Sequence, residues 1–214
     1  MMAYDYLQDP VAIESRSFEL IRENTELGDF DEQQSQVAMR VVHTCGEPEV
    51  AQQLRFTEGA VEAGLRALEK GKPILCDVEM IVHGISRRYV ESQVQCHLNS
   101  FGVAQKAKTT GQTRSMVALD YWGDHLEDSI AVIGNAPTAL FRLLEMIQLG
   151  VPKPALVIGV PVGFVGAAES KELLWDECEL LQLNVITLLG RKGGSAVASA
   201  VINALGRMHN GVFF

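Results

Sequence analysis

The spacing of apolar positions changes character near Pro73. Upstream, residues 10–27 place Val11, Ile13, Phe18, Leu20 and Ile21 in a roughly helical pattern, with Pro10 in the first turn and Gly28-Asp29 as the stop. A second helix is predicted over 31–42, delivering His43 at its carboxyl end, and a third over 57–70, closed by Gly71 with Pro73 beyond. Downstream, short apolar runs at 74–78, 92–96, 130–133, 155–159 and 185–189 read as buried strands, with helical patterns at 114–125, 138–149, 169–181 and 195–208. Right-handed crossovers then give a mostly parallel five-stranded sheet covered on both faces, a three-layer α/β/α fold with extra amino-terminal helices. Ligands on such a sheet bind outside the carboxyl ends of its strands. No repeat, low-complexity tract or linker interrupts residues 1–214, so a single domain is expected.

Three glycine-rich turns fall on that edge: Gly134-Asn135-Ala136-Pro137-Thr138, Gly159-Val160-Pro161-Val162-Gly163-Phe164-Val165-Gly166 and Gly190-Arg191-Lys192-Gly193-Gly194-Ser195. Each follows an apolar run and precedes a helical pattern, so its backbone N–H groups can face a carboxylate or phosphate, and each reads equally as a tight turn without a ligand. The third loop adds the basic pair Arg191-Lys192. Arg114, after Thr113 and before Ser115, opens a helical segment, where a guanidinium can grip a carboxylate bidentately or be solvated.

His43 sits in the uncharged run Val41-Val42-His43-Thr44-Cys45-Gly46. Taken alone it reads as a hydrogen-bonded structural histidine; beside three glycine turns it reads as catalytic. The negative end of a helix dipole favours a protonated imidazole and so acid chemistry. Cys45, two positions on, is too close in sequence to form a thiol–imidazole pair. His83, His97, His125 and His209 lack metal-ligand spacing and read as structural or solvent-facing.

Composition removes several classes of function. With 47% hydrophobic and 21% charged positions the chain is an ordinary globular protein, not a disordered or fibrous one. A net charge of −9 argues against nucleic acid. No apolar run reaches the roughly 18 residues a membrane span needs, and Met1-Met2-Ala3-Tyr4-Asp5-Tyr6 lacks the marks of a signal peptide, so a soluble, cytoplasmic protein is expected. Cys45, Cys76, Cys96 and Cys178 form no C-x-x-C pair and are expected reduced, without zinc. No G-x-G-x-x-G with an acidic residue roughly 20 positions later is present, nor a phosphate-binding G-x-x-x-x-G-K-[ST] motif, which disfavours a dehydrogenase and a nucleoside triphosphate site.

Several segments together resemble the precorrin-8X methylmutase (precorrin isomerase) family of cobalamin biosynthesis. They are Ser17-Phe18 with Ile21 and Glu23, Arg40-Val41-Val42-His43 with Gly46, Cys76-Asp77-Val78-Glu79-Met80, Thr113-Arg114-Ser115 and Gly134 to Leu140. Pro161-Val162-Gly163-Phe164-Val165 with Ala168-Glu169-Ser170-Lys171, and Gly193-Gly194-Ser195 with Asn203-Ala204-Leu205, complete the set, which spans residues 10–205. The chain departs from the family pattern at Glu47, usually aspartate there, and at His83, in a segment more often built of small residues.

The resemblance implies a flavodoxin-like fold, a homodimer, no dissociable cofactor, and migration of a methyl group from C-11 to C-12 of a corrinoid. The product would be hydrogenobyrinate, or cobyrinate if the substrate carries cobalt. His43 matches the family's active-site histidine. Residue chemistry and resemblance together give the substrate-binding candidates Ser17, Arg40, Thr113, Arg114, Ser115, Gly134, Asn135, Ala136, Gly163, Phe164, Val165, Lys192, Gly193 and Ser195, with no metal ligand. A methyl shift within one molecule needs a positioned proton donor rather than two assembled substrates. A polycarboxylate ligand also explains amide-rich turns and local basic residues in an acidic protein. The alternative is a non-catalytic tetrapyrrole carrier, which would tolerate loss of His43.

Overall fold

The computed structural model describes Tyr4 and residues 6–214; Met1, Met2, Ala3 and Asp5, part of the stretch read for export signals, lie outside the described residues. Helix α1 (Pro10–Asn24) starts where Asp9 accepts the Ala12 N–H at 2.7 Å, with Pro10 in the first turn. Helix α2 (Glu32–Cys45) opens with a reciprocal capping box between Asp31 and Gln34 and stops at Gly46, whose φ of 69° lies in the left-handed region. It runs three residues past the predicted end, so His43 lies inside its last turn.

A 3₁₀ turn leads to strand β1 (Leu54–Phe56), followed by α3 (Ala60–Glu69), β2 (Ile74–Cys76), α4 (Glu79–Gly84), β3 (Val94–Cys96), α5 (Val103–Thr110) and α6 (Arg114–Ala118). The chain continues through β4 (Ile130–Ile133), α7 (Pro137–Gln148), β5 (Leu156–Gly159), α8 (Ala167–Glu177), β6 (Val185–Leu188) and α9 (Ser195–His209).

One sheet has the order β1-β6-β5-β4-β2-β3, all pairs parallel except β1 with β6. The expected five strands are therefore six. The strand that was not foreseen, β1, is three residues long, only Leu54 of it is buried, and its antiparallel partner β6 lies more than a hundred residues downstream. Neither alternation nor a nearby hairpin marks it. The predicted helix 114–125 is also corrected: α6 ends at Ala118 and 3₁₀ turns follow at Leu119–Tyr121 and Gly123–Leu126. Helices α4 and α5 were missed because each buries few apolar side chains, Ile81 in one and Val103 with Ala107 in the other.

Strand residues alternate between two cores, as the period of two requires. Ile74, Cys76, Ile130, Val132, Leu156 and Ile158 pack under α2, α3, α4 and α9, while Leu75, Ala131, Ile133 and Val157 pack under α7, α8 and Trp122. Each of the buried Val, Leu and Ile side chains among them contributes roughly 1.5–3 kcal/mol. Gly159 lets α7 and α8 close on the sheet, since a Cβ there would lie 2.5 Å from Leu174. Chain order reverses between β2 and β4, where a crevice at the carboxyl ends is expected.

Candidate active site

At that reversal the Asp77 carboxylate, 1% exposed and just past β2, accepts three backbone N–H groups: Gly134 at 3.0 Å, Asn135 at 3.1 Å and Ala136 at 2.9 Å. The sequence reading offered those amides to a substrate carboxylate; they are instead occupied by the protein's own. Burial pushes the Asp77 carboxyl above its ordinary value, and the three N–H bonds oppose that by favouring the ionised form. The turn is a preformed, rigid floor, and of its three residues Asn135 keeps an exposed side chain.

The other two glycine loops are laced to each other. The Gly163 N–H donates to the Arg191 carbonyl at 3.2 Å and the Gly194 N–H to the Val160 carbonyl at 2.8 Å. Gly193, at φ 149°, lies so close to the Val160 carbonyl that no side chain fits. Beneath them Lys171, fully buried, donates from Nζ to the Lys192 carbonyl at 2.6 Å, and burial pushes its ammonium down to about 8. Phe164 and Val165 stand exposed above the loops, with the Arg191 guanidinium 5.5 Å from the Phe164 ring centroid.

An ion pair between Lys192 and Glu47 ties this loop to the end of α2, and so to His43. His43 is exposed and lines an open depression of about 370 Å³ with Ser17, Leu20, Ile21, Asn24, Val42, Gly46 and Pro48. Its Nδ1 lies 3.1 Å from the Ser17 hydroxyl, and its ring stacks on Phe18 with centroids 5.1 Å apart and planes 11° from parallel. Among the described residues Nε2 has no hydrogen-bond partner. In the free protein His43 is held below its ordinary value, first by burial and then by the Arg40 charge, with Glu14 opposing. The expected upward push from the helix end is outweighed, which corrects that reading. Cys45 is pushed up by burial and by Glu47, so its thiol is not activated.

Arg40 does not face the depression. Its guanidinium lies 6.0 Å from the Phe18 ring centroid, 5.7 Å from that of Phe214, and 3.9 Å from the Glu14 carboxylate. It acts behind His43 rather than as an open carboxylate clamp. Thr113 caps α6 and its hydroxyl meets that of Thr138 at 2.7 Å. Arg114 donates to the Leu98 carbonyl at 3.0 Å and to Asn99, and Ser115 and, at the start of α9, Ser195 are buried. His43 and Ser17 share the depression, and the Lys192–Glu47 ion pair ties the end of α2 to the loop that holds Lys192 and Gly193. Gly134 and Asn135 lie beside it through Gly134, where a Cβ would be 3.2 Å from the Gly194 carbonyl oxygen. Thr113 meets the first turn of α7 through Thr138, while Arg114 is turned toward the β3–α5 loop. Asp77, Lys171, Glu14 and Phe214 carry structural weight that sequence reasoning did not assign. Asp77 was visible as a charge between Cys76 and Val78; Lys171, flanked by Ser170 and Glu172, carried no such mark, and nothing in the sequence linked Phe214 to Phe18.

Among the described residues no cluster of three or more His, Cys, Asp or Glu side chains is arranged to hold a metal ion, and no helix is long and apolar enough to cross a membrane. A family model described as precorrin-8X methylmutase matches residues 12–208. A Pseudomonas aeruginosa protein named precorrin-8X methylmutase is 48% identical over 203 residues, 94% of this chain and 97% of its own length. A Priestia megaterium protein named cobalt-precorrin-8 methylmutase is 37% identical over 199 residues, 92% of this chain and 87% of its own. The solved precorrin-8x methyl mutase of Thermus thermophilus superposes with a TM-score of 0.83 at 34% identity, covering 94% of this chain and 98% of that one. A turn locked by Asp77, two laced glycine loops and an open histidine beside them are therefore features of a chain that belongs to the precorrin-8X methylmutase family.

Proposed function

We propose that His43 is the proton donor for the methyl shift this chain catalyses, moving a methyl group from C-11 to C-12 of precorrin-8X or its cobalt form to give hydrogenobyrinate or cobyrinate. The activity itself, an isomerase of cobalamin biosynthesis, comes with the family. The observation that carries the donor role is that Nδ1 is engaged by Ser17 while Nε2 has no partner among the described residues, on a ring that lines an open depression. In the imidazolium both nitrogens donate, so Nδ1–H bonds the Ser17 oxygen and Nε2–H points to the ligand. Protonating or strongly hydrogen-bonding a ring nitrogen beside C-11 withdraws electron density from the conjugated system. The C-11 to methyl bond then breaks as the bond to C-12 forms, and the proton returns to His43. Substrate and product are isomers and nothing else is consumed.

Lys192, Gly193, Asn135, Thr113, Arg114, Gly163, Phe164 and Val165 form the substrate surface in this reading, with the buried Ser115 and Ser195 beneath it, Gly134 and Ala136 as backbone floor, and Ser17 and Arg40 setting the histidine. The exposed Phe164, Val165 and Phe101, at 84%, 89% and 99%, support coverage by the macrocycle or by the second subunit of a homodimer. The flavodoxin-like assignment rests on the five parallel strands, which numbered along the chain lie in the order 2-1-3-4-5. One domain over 1–214 in the cytoplasm completes the proposal. Relatives at 48% and 44% identity carry the name precorrin-8X methylmutase, which favours the cobalt-free substrate. Parallel assays of both forms with purified protein test that choice: faster turnover of the cobalt form would reverse it.

A further inference from the structure

Behind His43 lies a layer of which the proposed reaction uses Arg40 alone. After α9, Gly211 at φ 70° turns the chain, the Val212 N–H returns to the Arg207 carbonyl at 2.9 Å, and Phe214 is carried back over α1 and α2. Three backbone contacts seat it: its N–H donates to Gln36 Oε1 at 2.8 Å, and its carbonyl accepts from Arg22 at 3.0 Å and from Gln36 Nε2 at 3.5 Å. The Phe214 ring then stacks on Phe18, centroids 3.5 Å apart and planes 10° from parallel, on a ring that itself stacks on His43. The result is a three-ring ladder, Phe214, Phe18, His43, with the catalytic ring as its outermost rung.

Two guanidinium groups flank the inner rung. Arg207 lies 4.4 Å and Arg40 5.7 Å from the Phe214 centroid, and both reach the single carboxylate of Glu14, at 3.0 Å and 3.9 Å. Two like charges sharing one counter-ion would separate toward water if the aromatic surface between them were removed. The charged groups on the elements packed near this layer are Glu14, Arg22 and the Arg16-paired Glu19 on α1, Arg40 on α2, Arg207 on α9, and the mutually paired Glu47 and Lys192 beyond the end of α2; of these, Arg40 and Glu14 act on His43.

We propose that Phe214 is a positioning residue for the methyl shift, holding Phe18 flat against the His43 ring and keeping Arg40 in place behind it. It touches neither the imidazole nor the depression that His43 lines. Its effect passes through Phe18 and Arg40. The inference rests on His43 as the proton donor for its link to rate, but its physical content concerns the unliganded protein and is measurable there.

The test is Phe214→Ala, with Phe214→Tyr as the conservative control, read by histidine NMR titration of the free protein and by steady-state kinetics. Comparison with His43→Asn assigns the His43 resonance. In Phe214→Ala, water entering the layer and release of Arg40 both act upward, so the His43 midpoint rises toward its ordinary value of about 6.5. Loss of one aromatic stack lowers kcat about threefold to tenfold while KM changes little. Phe214→Tyr keeps both the midpoint and kcat of the wild type. An unchanged midpoint and kcat in Phe214→Ala would overturn the proposal, as would a lower melting temperature with no movement of the midpoint. If the midpoint moves but His43→Asn is fully active, the seating of Phe18 and Arg40 by Phe214 stands, while its link to the methyl shift is overturned together with the donor role of His43.

Discussion

Ser17 Oγ lies 3.1 Å from His43 Nδ1, a contact that spans 26 residues and joins α1 to the last turn of α2. It fixes which ring nitrogen is left to meet a ligand. Removing the hydroxyl in Ser17→Ala frees the ring to rotate about its side-chain bonds and costs about 1 kcal/mol of orientation. Turnover should fall by up to about tenfold with little change in melting temperature. A kcat equal to wild type would show that the contact has no part in setting the ring.

The acid limb of catalysis has a definite sign. Burial and Arg40 hold His43 below the ordinary imidazole value in the free protein, so if imidazolium is the donor, kcat/KM, which reports the free enzyme, is lost as pH rises through a midpoint below about 6.5. A bound polycarboxylate favours the charged ring, so the limb in kcat should lie at higher pH than the limb in kcat/KM. The pair of profiles measured from about pH 5 to 9 checks this ordering, and coincident limbs would refute it.

Gly193→Ala places a methyl group against the Val160 carbonyl at a backbone angle of 149°. Either strain costs about 1–3 kcal/mol, and relief requires the β6–α9 loop to move. KM should rise several-fold while the protein stays folded, as checked by equilibrium binding of product and circular dichroism. Unchanged affinity would separate this loop from the ligand.

Lys171 tests the floor of the site through stability. Its ammonium is pushed down to about 8 from 10.5 by burial. Between those values the unfolded chain holds a proton that the folded chain has released, so the folded state gains stability as pH rises from about 8 to about 10.5 and carries the full burial penalty below that window. Lys171→Met should remove this contribution to the slope and leave the protein at least as stable at pH 7, although the Lys192 carbonyl loses its donor. Denaturant melts of both proteins across the window decide it: superimposable slopes would mean that Lys171 does not titrate as described.

Much of the frame was legible in the sequence because it depends on local signals. Fully buried parallel strands read as continuous apolar runs, and glycine marked the strand ends of β4, β5 and β6. What was not legible depends on long-range pairing. β1 is too short to show a period and exists through its pairing with β6, and α5 has only Val103 and Ala107 to mark its buried face. Of the proposed site, His43, Lys192 and the glycine loops could be singled out from their residue types and neighbours. The occupation of the Gly134 to Ala136 amides by Asp77 was not, since a carboxylate 57 residues earlier competes with any ligand only once β2 and β4 are adjacent. The direction of the His43 shift was missed for the same reason: Arg40 is close in sequence, but the burial that dominates the shift follows from the fold.

The central claim, that His43 supplies the proton for methyl migration, is tested most directly by single-turnover isomerisation followed in the visible spectrum, comparing wild type with His43→Asn at equal product affinity. Asparagine keeps a hydrogen-bonding side chain but cannot deliver a proton, so the rate should fall at least about a hundredfold, in the range expected for loss of a general acid. A His43→Asn rate within about threefold of wild type would contradict the claim, leaving positioning and binding by the glycine loops as the source of the isomerisation.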